Sequence, residues 1–234
     1  MTGLVRKASL MAACGLLVSA AAMASVPTPC NSTIPCGIPV IGHTAGVADP
    51  LGQFTITVRD LANNPVANSS VVIDFSACCN DVHLSSTQFG AGVTVDVPTK
   101  TVRAIGNASG VVTFRVMGGA DGGPGGAATP AGGCAKVYAD GVLLTDGVCK
   151  PPSIQVAVYD LNGDLGGGAG MGPADLSVWL ADFFATPTPY RARSDYDFNI
   201  LCTKDIGPAD LSKWLGVFFG NGSTANGPAF IACP

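Results

Sequence analysis

The segment that most restricts how this chain can fold is written twice. "DLNGDLGGGAGMGPADLSVWLADFF" runs from Asp160 to Phe184, and "DYDFNILCTKDIGPADLSKWLGVFF" follows from Asp195 to Phe219, 35 residues further on. In each copy the apolar residues after "GPAD" recur at i, i+3, i+4, i+7 and i+8. They are Leu176, Trp179, Leu180, Phe183 and Phe184, then Leu211, Trp214, Leu215, Phe218 and Phe219. That spacing is one stripe of an α-helix. A helix of about a dozen residues is marginal alone in water, so the two stripes are expected to pack on each other with Trp179 and Trp214 in the core.

The polar half is duplicated as well. Asp160, Asn162 and Asp164 stand at alternating positions before the first helix, and Asp195, Asp197 and Asn199 before the second. Asp175 and Asp210 sit at the helix starts, each fifteen residues after the first Asp of its loop. Alternating oxygens in a turning loop, closed by a carboxylate at the helix start, suit calcium, which takes six to eight oxygen ligands at about 2.3–2.6 Å. The competing reading makes Asp175 and Asp210 helix caps and the residues before them turn formers. Because both copies keep one register, calcium, up to two ions, is the expectation. Pro173-Ala174 and Pro208-Ala209 occupy the first helical positions, where proline suits helix initiation.

Upstream the period changes to two. "FTITVRD", "SSVVIDFS", "VTVDV", "KTVRAI", "GVVTFRV", "AKVYADGVLL" and "SIQVAVYD" are β-branched runs separated by turn signals such as "NNP", "GNASG" and "ADG". The Gly-rich "GGADGGPGGAATPAGG" is expected to be an extended loop. Such a series describes an antiparallel sandwich. The expected division is a signal peptide at 1–24, a linker at 25–36, a β-sandwich at 37–157 and a loop–helix repeat at 158–234.

The leader "MTGLVRKASLMAACGLLVSAAAMAS" has Arg6 and Lys7, an apolar run and small residues at Ala22 and Ala24, which is the layout of a secretory signal cut after Ala24. Export places Cys30, Cys36, Cys78, Cys79, Cys134, Cys149, Cys202 and Cys233 in an oxidising compartment, where disulfides are the default. From proximity, Cys30 is expected to pair with Cys36, Cys78 or Cys79 with Cys134 or Cys149, and Cys202 with Cys233. The two histidines, His43 and His83, offer no zinc spacing. A net charge of −4 with 12% charged residues and no basic cluster argues against nucleic acid, and no later apolar run reaches the ~20 residues of a membrane span. Beyond Asp60, Asp74 and Asp96 the strands offer no candidate carboxylate pair, and no nucleophile with a base accompanies them, so no enzyme is expected.

Two resemblances follow from these residues. "GQFTITVRDLANNPVANSSVVIDFS" with "AIGNASGVVTFRV" resembles bacterial immunoglobulin-like domains of the invasin/intimin type, which implies a spacer or adhesive module. The duplicated loop and helix resemble dockerin modules, in which the incoming helix of an EF-hand is missing and the last ligand is Asp. That resemblance implies metal ligation by Asp160, Asn162, Asp164 and Asp175, and by Asp195, Asp197, Asn199 and Asp210. It also implies docking onto a cohesin module outside the cell, in assemblies associated with polysaccharide metabolism. Against the family pattern each loop is four residues longer, with Leu165 or Ile200 where the family has glycine. Pro173-Ala174 and Pro208-Ala209 occupy the positions that meet the cohesin. The expected whole is a mostly β chain with a small α part, secreted and non-catalytic, with a calcium-dependent docking module. The alternative is a structural or adhesive surface protein whose repeat rigidifies the sandwich.

Overall fold

Every β-branched run read from the sequence forms a strand in this computed structural model, which describes residues 25–78, 82–120, 133–163, 170–186, 190–198, 202 and 204–221. In chain order the strands are β1 (Gly37–Ile41), β2 (His43–Thr44), β3 (Val47–Ala48), β4 (Gln53–Thr57), β5 (Ser70–Asp74), β6 (Val82–Leu84), β7 (Thr94–Asp96), β8 (Thr101–Ile105), β9 (Val111–Ala120), β10 (Lys136–Ala139), β11 (Val142–Leu143) and β12 (Gln155–Val158). The helices α1 (Pro173–Ala185) and α2 (Pro208–Gly216) follow. The chain is therefore mostly β with a small α part. The leader at 1–24, the glycine-rich 121–132, Cys79, Asp164, Asn199 and Cys233 lie outside the described residues. Gly118 and Gly119, expected in the loop, belong to β9 instead and pair with β6.

One five-stranded sheet has the order β12-β1-β9-β4, with β6 also on β9, and a second has β11-β10-β5-β8-β7. Alternation decides what each strand buries: in β8, Val102 and Ala104 point inward while Arg103 and Ile105 face water. Ile38, Val40, Ile56 and Phe114 of the first sheet share one core with Val71, Ile73, Val102 and Val137 of the second. At roughly 1.5–3 kcal/mol per buried side chain of this size, that core is the main source of stability.

The expectation of a purely antiparallel arrangement needs correction. β1 runs parallel to both neighbours, with Gly37 opposite Gln155 on β12 and Val40 opposite Val116 on β9. Alternating side chains are blind to strand direction, and the long stretches of chain joining β1 to β9 and to β12 leave room for parallel crossovers.

β1 and β12 are buried on both faces. Ile38, Val40, Val156 and Val158 enter the main core, whereas Ile41 and Ala157, of opposite parity, enter a second one with Tyr159, Leu161, Val178, Trp179, Tyr196, Ile206, Trp214 and Val217. The loop–helix repeat therefore covers the outer face of the first sheet where β1 and β12 lie. Both helices enter this one core with Trp179 and Trp214 buried, and Ile41 and Ala157 of the strands share it, so the stripes are completed by the sheet as well as by each other. On α1 the buried face is Asp175, Val178, Trp179 and Asp182, while Leu180 and Phe184 are exposed.

Three disulfides bind Cys30 to Cys149, Cys36 to Cys202, and Cys78 to Cys134, with Cα separations of 4.9, 5.2 and 5.1 Å. The last is one of the expected pairings. Cys30–Cys36 and Cys202–Cys233 are corrected, because closeness along the chain is not closeness in space. Cys36 precedes β1, and β1 lies beside the second loop, which carries Cys202.

Candidate metal centre

Each helix of the repeat starts with the same local chemistry. Gly172 and Gly207 are the extended N-cap residues, proline follows at the first helical position, and Asp175 or Asp210 stands third. Glycine has no side chain to cap with, so only the returning half of a capping box exists. Asp175 Oδ2 accepts the Gly172 N–H at 2.6 Å, and Asp210 Oδ2 the Gly207 N–H at 2.8 Å.

The other oxygen reaches back across the loop. Asp175 Oδ1 accepts the N–H groups of Leu161 at 2.7 Å and Asn162 at 2.8 Å. Asp210 Oδ1 accepts those of Tyr196 at 2.6 Å and Asp197 at 2.9 Å. One buried carboxylate thus clasps both ends of its loop with three backbone bonds. The fifteen-residue offset has a cause that needs no ion, since it is the distance over which the clasp closes. Asp210 keeps lone-pair capacity beyond its three bonds, whereas Asp175 also shares a hydrogen bond with Asp160.

The first acid of each loop also makes a turn. Asp160 Oδ1 accepts the Gly163 N–H at 3.0 Å, and Asp195 Oδ1 the Phe198 N–H at 3.4 Å. Both acids are buried. Asp195 Oδ2 further accepts the hydroxyl of Tyr190 at 2.5 Å.

In the second loop three carboxylates converge: Asp195, Asp197 and Asp210 each place an oxygen so that all lie within 4.8 Å of one another. Asp197 Oδ1 is buried without a hydrogen-bond partner. Burial pushes the Asp195 carboxyl up to about 7, and the charges of Asp210 and Asp197 add to the effect. Burial likewise pushes Asp210 upward against three backbone bonds that pull it down. Three crowded, largely dry carboxylates are costly together unless a proton or a cation is present. In the first loop burial raises Asp175, which its backbone bonds and a hydrogen bond with Asp160 oppose. Asp160 and Asp175 thus meet there, with the Asn162 backbone held by Asp175.

All-oxygen donors suit a hard cation such as calcium better than zinc, whose structural sites are built on Cys and His. His43 packs edge-on against Phe89, and Cys30, Cys36, Cys78, Cys134, Cys149 and Cys202 are in disulfides. The orphaned Asp197 oxygen is the observation that fits a cation best. A cavity of about 420 Å³ beside the loop, lined by Asp197, Phe54, Phe198, Tyr159 and Lys213 among others, gives access from outside. Gly37 lets the Phe198 ring lie against the strand, since a Cβ there would collide with the ring as it is placed.

Pro173, Ala174, Pro208 and Ala209 are exposed at the two helix starts. Asp60, Asp74 and Asp96 close turns, accepting the N–H groups of Asn64, Ser76 and Thr99. Sequence reasoning passed over the Asp182–Arg193 pair, although an acid at helical spacing after Asp175 and Val178 was a visible signal. Arg193 Nε and Nη2 donate to Asp182 at 2.8 and 3.0 Å, and the Ser194 hydroxyl at 2.7 Å, all buried. Tyr190 and Lys213 carried no signal, because their roles depend on packing across the repeat.

No family model matches this chain, and neither a curated protein nor a solved structure does.

Proposed function

We propose that this is a secreted, non-catalytic protein in which the duplicated module binds calcium and docks an immunoglobulin-like β-sandwich onto an extracellular protein partner of cohesin type. The observation that carries the metal is the convergence of Asp195, Asp197 and Asp210 with an orphaned, buried oxygen among them. Asp160, Asn162 and Asp175 hold the corresponding place in the first loop, with Asp164 and Asn199 as further ligands by the repeat. The docking half is supported by the exposed starts of both helices and by Phe184 and Phe219, 78% and 77% exposed at equivalent positions of the two copies. An aromatic side chain left facing water at the same position of both copies is available to a partner. Three disulfides support export, and among the described residues no helix is long and apolar enough to cross a membrane.

One observation favours a second reading, in which the repeat is a rigid cap of the sandwich. The repeat shares a core with β1 and β12 and is bound to β1 by Cys36–Cys202. Because of that shared core the test uses the intact chain from residue 25. Calcium titration by calorimetry is expected to give heat and a rise in Tm, about 2.7 kcal/mol of added stability at a hundredfold excess over Kd. Neither heat nor a change in Tm would sink the metal. Size-exclusion chromatography with a cohesin module, with calcium or chelator, separates the readings. A calcium-dependent complex supports docking, and calcium binding without any complex supports the cap.

A further inference from the structure

We infer that each tryptophan holds the metal loop of the other repeat, so that the two loops are set as a coupled pair. This rests on the calcium reading of those loops. Trp179, on α1, donates its indole N–H to the carbonyl of Ser194 at 3.2 Å, and Trp214, on α2, donates to the carbonyl of Tyr159 at 3.0 Å. Ser194 directly precedes Asp195, and Tyr159 directly precedes Asp160. The helix that follows the first loop therefore reaches the start of the second, and the reverse, at the same repeat offset. Both bonds are buried, with Trp179 2% and Trp214 0% exposed.

The peptide bond is planar, so fixing the Ser194 carbonyl also fixes the plane that carries the Asp195 N–H, and the Tyr159 carbonyl does the same for Asp160. Indole is a donor only, and a buried carbonyl without its partner is costly. Each loop is thus held by two helices. Its own helix clasps the second and third loop residues through Asp175 or Asp210, and the other helix orients the peptide leading into the first. An ion that orders one loop steadies its helix, and through that helix's indole it steadies the other loop. The coupling is reciprocal by thermodynamic necessity. Trp179 and Trp214 are positioning residues, touching no ion.

The test reads crossed against direct dependence in the intact chain. With the second loop disabled by Asp197→Ala, calcium binding at the first loop is expected to move the indole N–H resonance of Trp214. Trp214→Phe should weaken that remaining site by roughly 5- to 30-fold, while Trp179→Phe changes it by no more than about threefold. With the first loop disabled by Asp160→Ala, the roles of the two tryptophans should exchange. Phenylalanine also shrinks the core, so each tryptophan is separately replaced by benzothienylalanine, which keeps the bicyclic shape and lacks the N–H. The same crossed loss with the analogue supports the inference. Equal effects of both positions, a larger effect of the loop's own helix, or a loss with phenylalanine alone would overturn it. Absence of calcium heat in the parent chain removes the metal reading together with this one, whereas two ions bound without any crossed effect removes this one alone.

Discussion

The two copies of the repeat share one clasp and reach it by different anchors. The first loop grows directly out of the sheet: the Tyr159 N–H donates to Val40, and the Asp160 carbonyl accepts from Ala120, so the ladder itself places the first acid. The second loop follows a single 3-10 turn, Ala192–Ser194, which packs against β12 without joining the sheet's ladder. Its position depends on side chains, namely the Asp182–Arg193 pair, Tyr190 on Asp195 and the Cys36–Cys202 bridge. A duplicated sequence therefore yields two loops that share a clasp and differ in vulnerability.

The largest expected effect breaks that contrast at Arg193. Arg193→Met leaves Asp182 buried without its partner and should cost about 3–5 kcal/mol in urea unfolding. At the matching positions of the other half, 35 residues away, stand Val158 and Val217, both fully buried. The double variant Asp182→Val with Arg193→Val imitates them and should recover most of the loss, since a packed apolar pair can replace a buried ion pair. A double variant as unstable as the single one would show that the halves are not interchangeable.

Next comes the staple. Cys36→Ser with Cys202→Ser should cost about 2–4 kcal/mol and weaken calcium at the second loop while leaving the first within about twofold. Unfolding curves and two-site calorimetry read both effects, and equal weakening of the two sites would contradict the separate anchoring.

The charge state of the second loop gives a third, somewhat smaller effect. An unfolded aspartate titrates near 3.9, and Asp195 in the folded chain titrates near 7, so between these values the folded form holds the extra proton. Stability of the metal-free protein should therefore fall as pH rises from about 4 to 7, by something on the order of 2 kcal/mol, and level off above. Saturating calcium should abolish the fall, which melting curves with and without calcium would show.

The smallest effect concerns Lys213, which takes the place held by Val178 in the first copy. Its Nζ donates to the carbonyls of Tyr196 at 3.1 Å and Asp197 at 3.3 Å, beside the acids. Lys213→Val removes a competing, exposed cation and should raise calcium affinity at the second loop about two- to fivefold by calorimetry.

Much of this was readable in advance. β4, β5, β8 and β9 follow from alternation, and the burial of Trp179 and Trp214 follows from helical spacing. β1 was missed because "GIPVI" is short and carries a proline, and β6 because "VHL" gives too little pattern. The exposure of Leu180 and Phe184, against the burial of Asp182, could not be read. A stripe shows that a helix has an apolar side, and its neighbours choose which edge of it faces inward. The candidate loop residues were found by their repetition, yet Asp175 and Asp210 proved to hold amides, a role that offset alone cannot separate from ligation.

By itself the sequence determined the local devices: which runs become strands, where the helices start, and that two loops carry the same acids. These depend on contacts within a few residues, so they are written in periods and spacings. Tertiary structure alone decided the parallel setting of β1, the Cys36–Cys202 bridge, the convergence of Asp195, Asp197 and Asp210, and the crossing of the tryptophans between copies. Those depend on residues far apart in the chain, and only burial of the second core against β1 and β12 brings them within bonding distance.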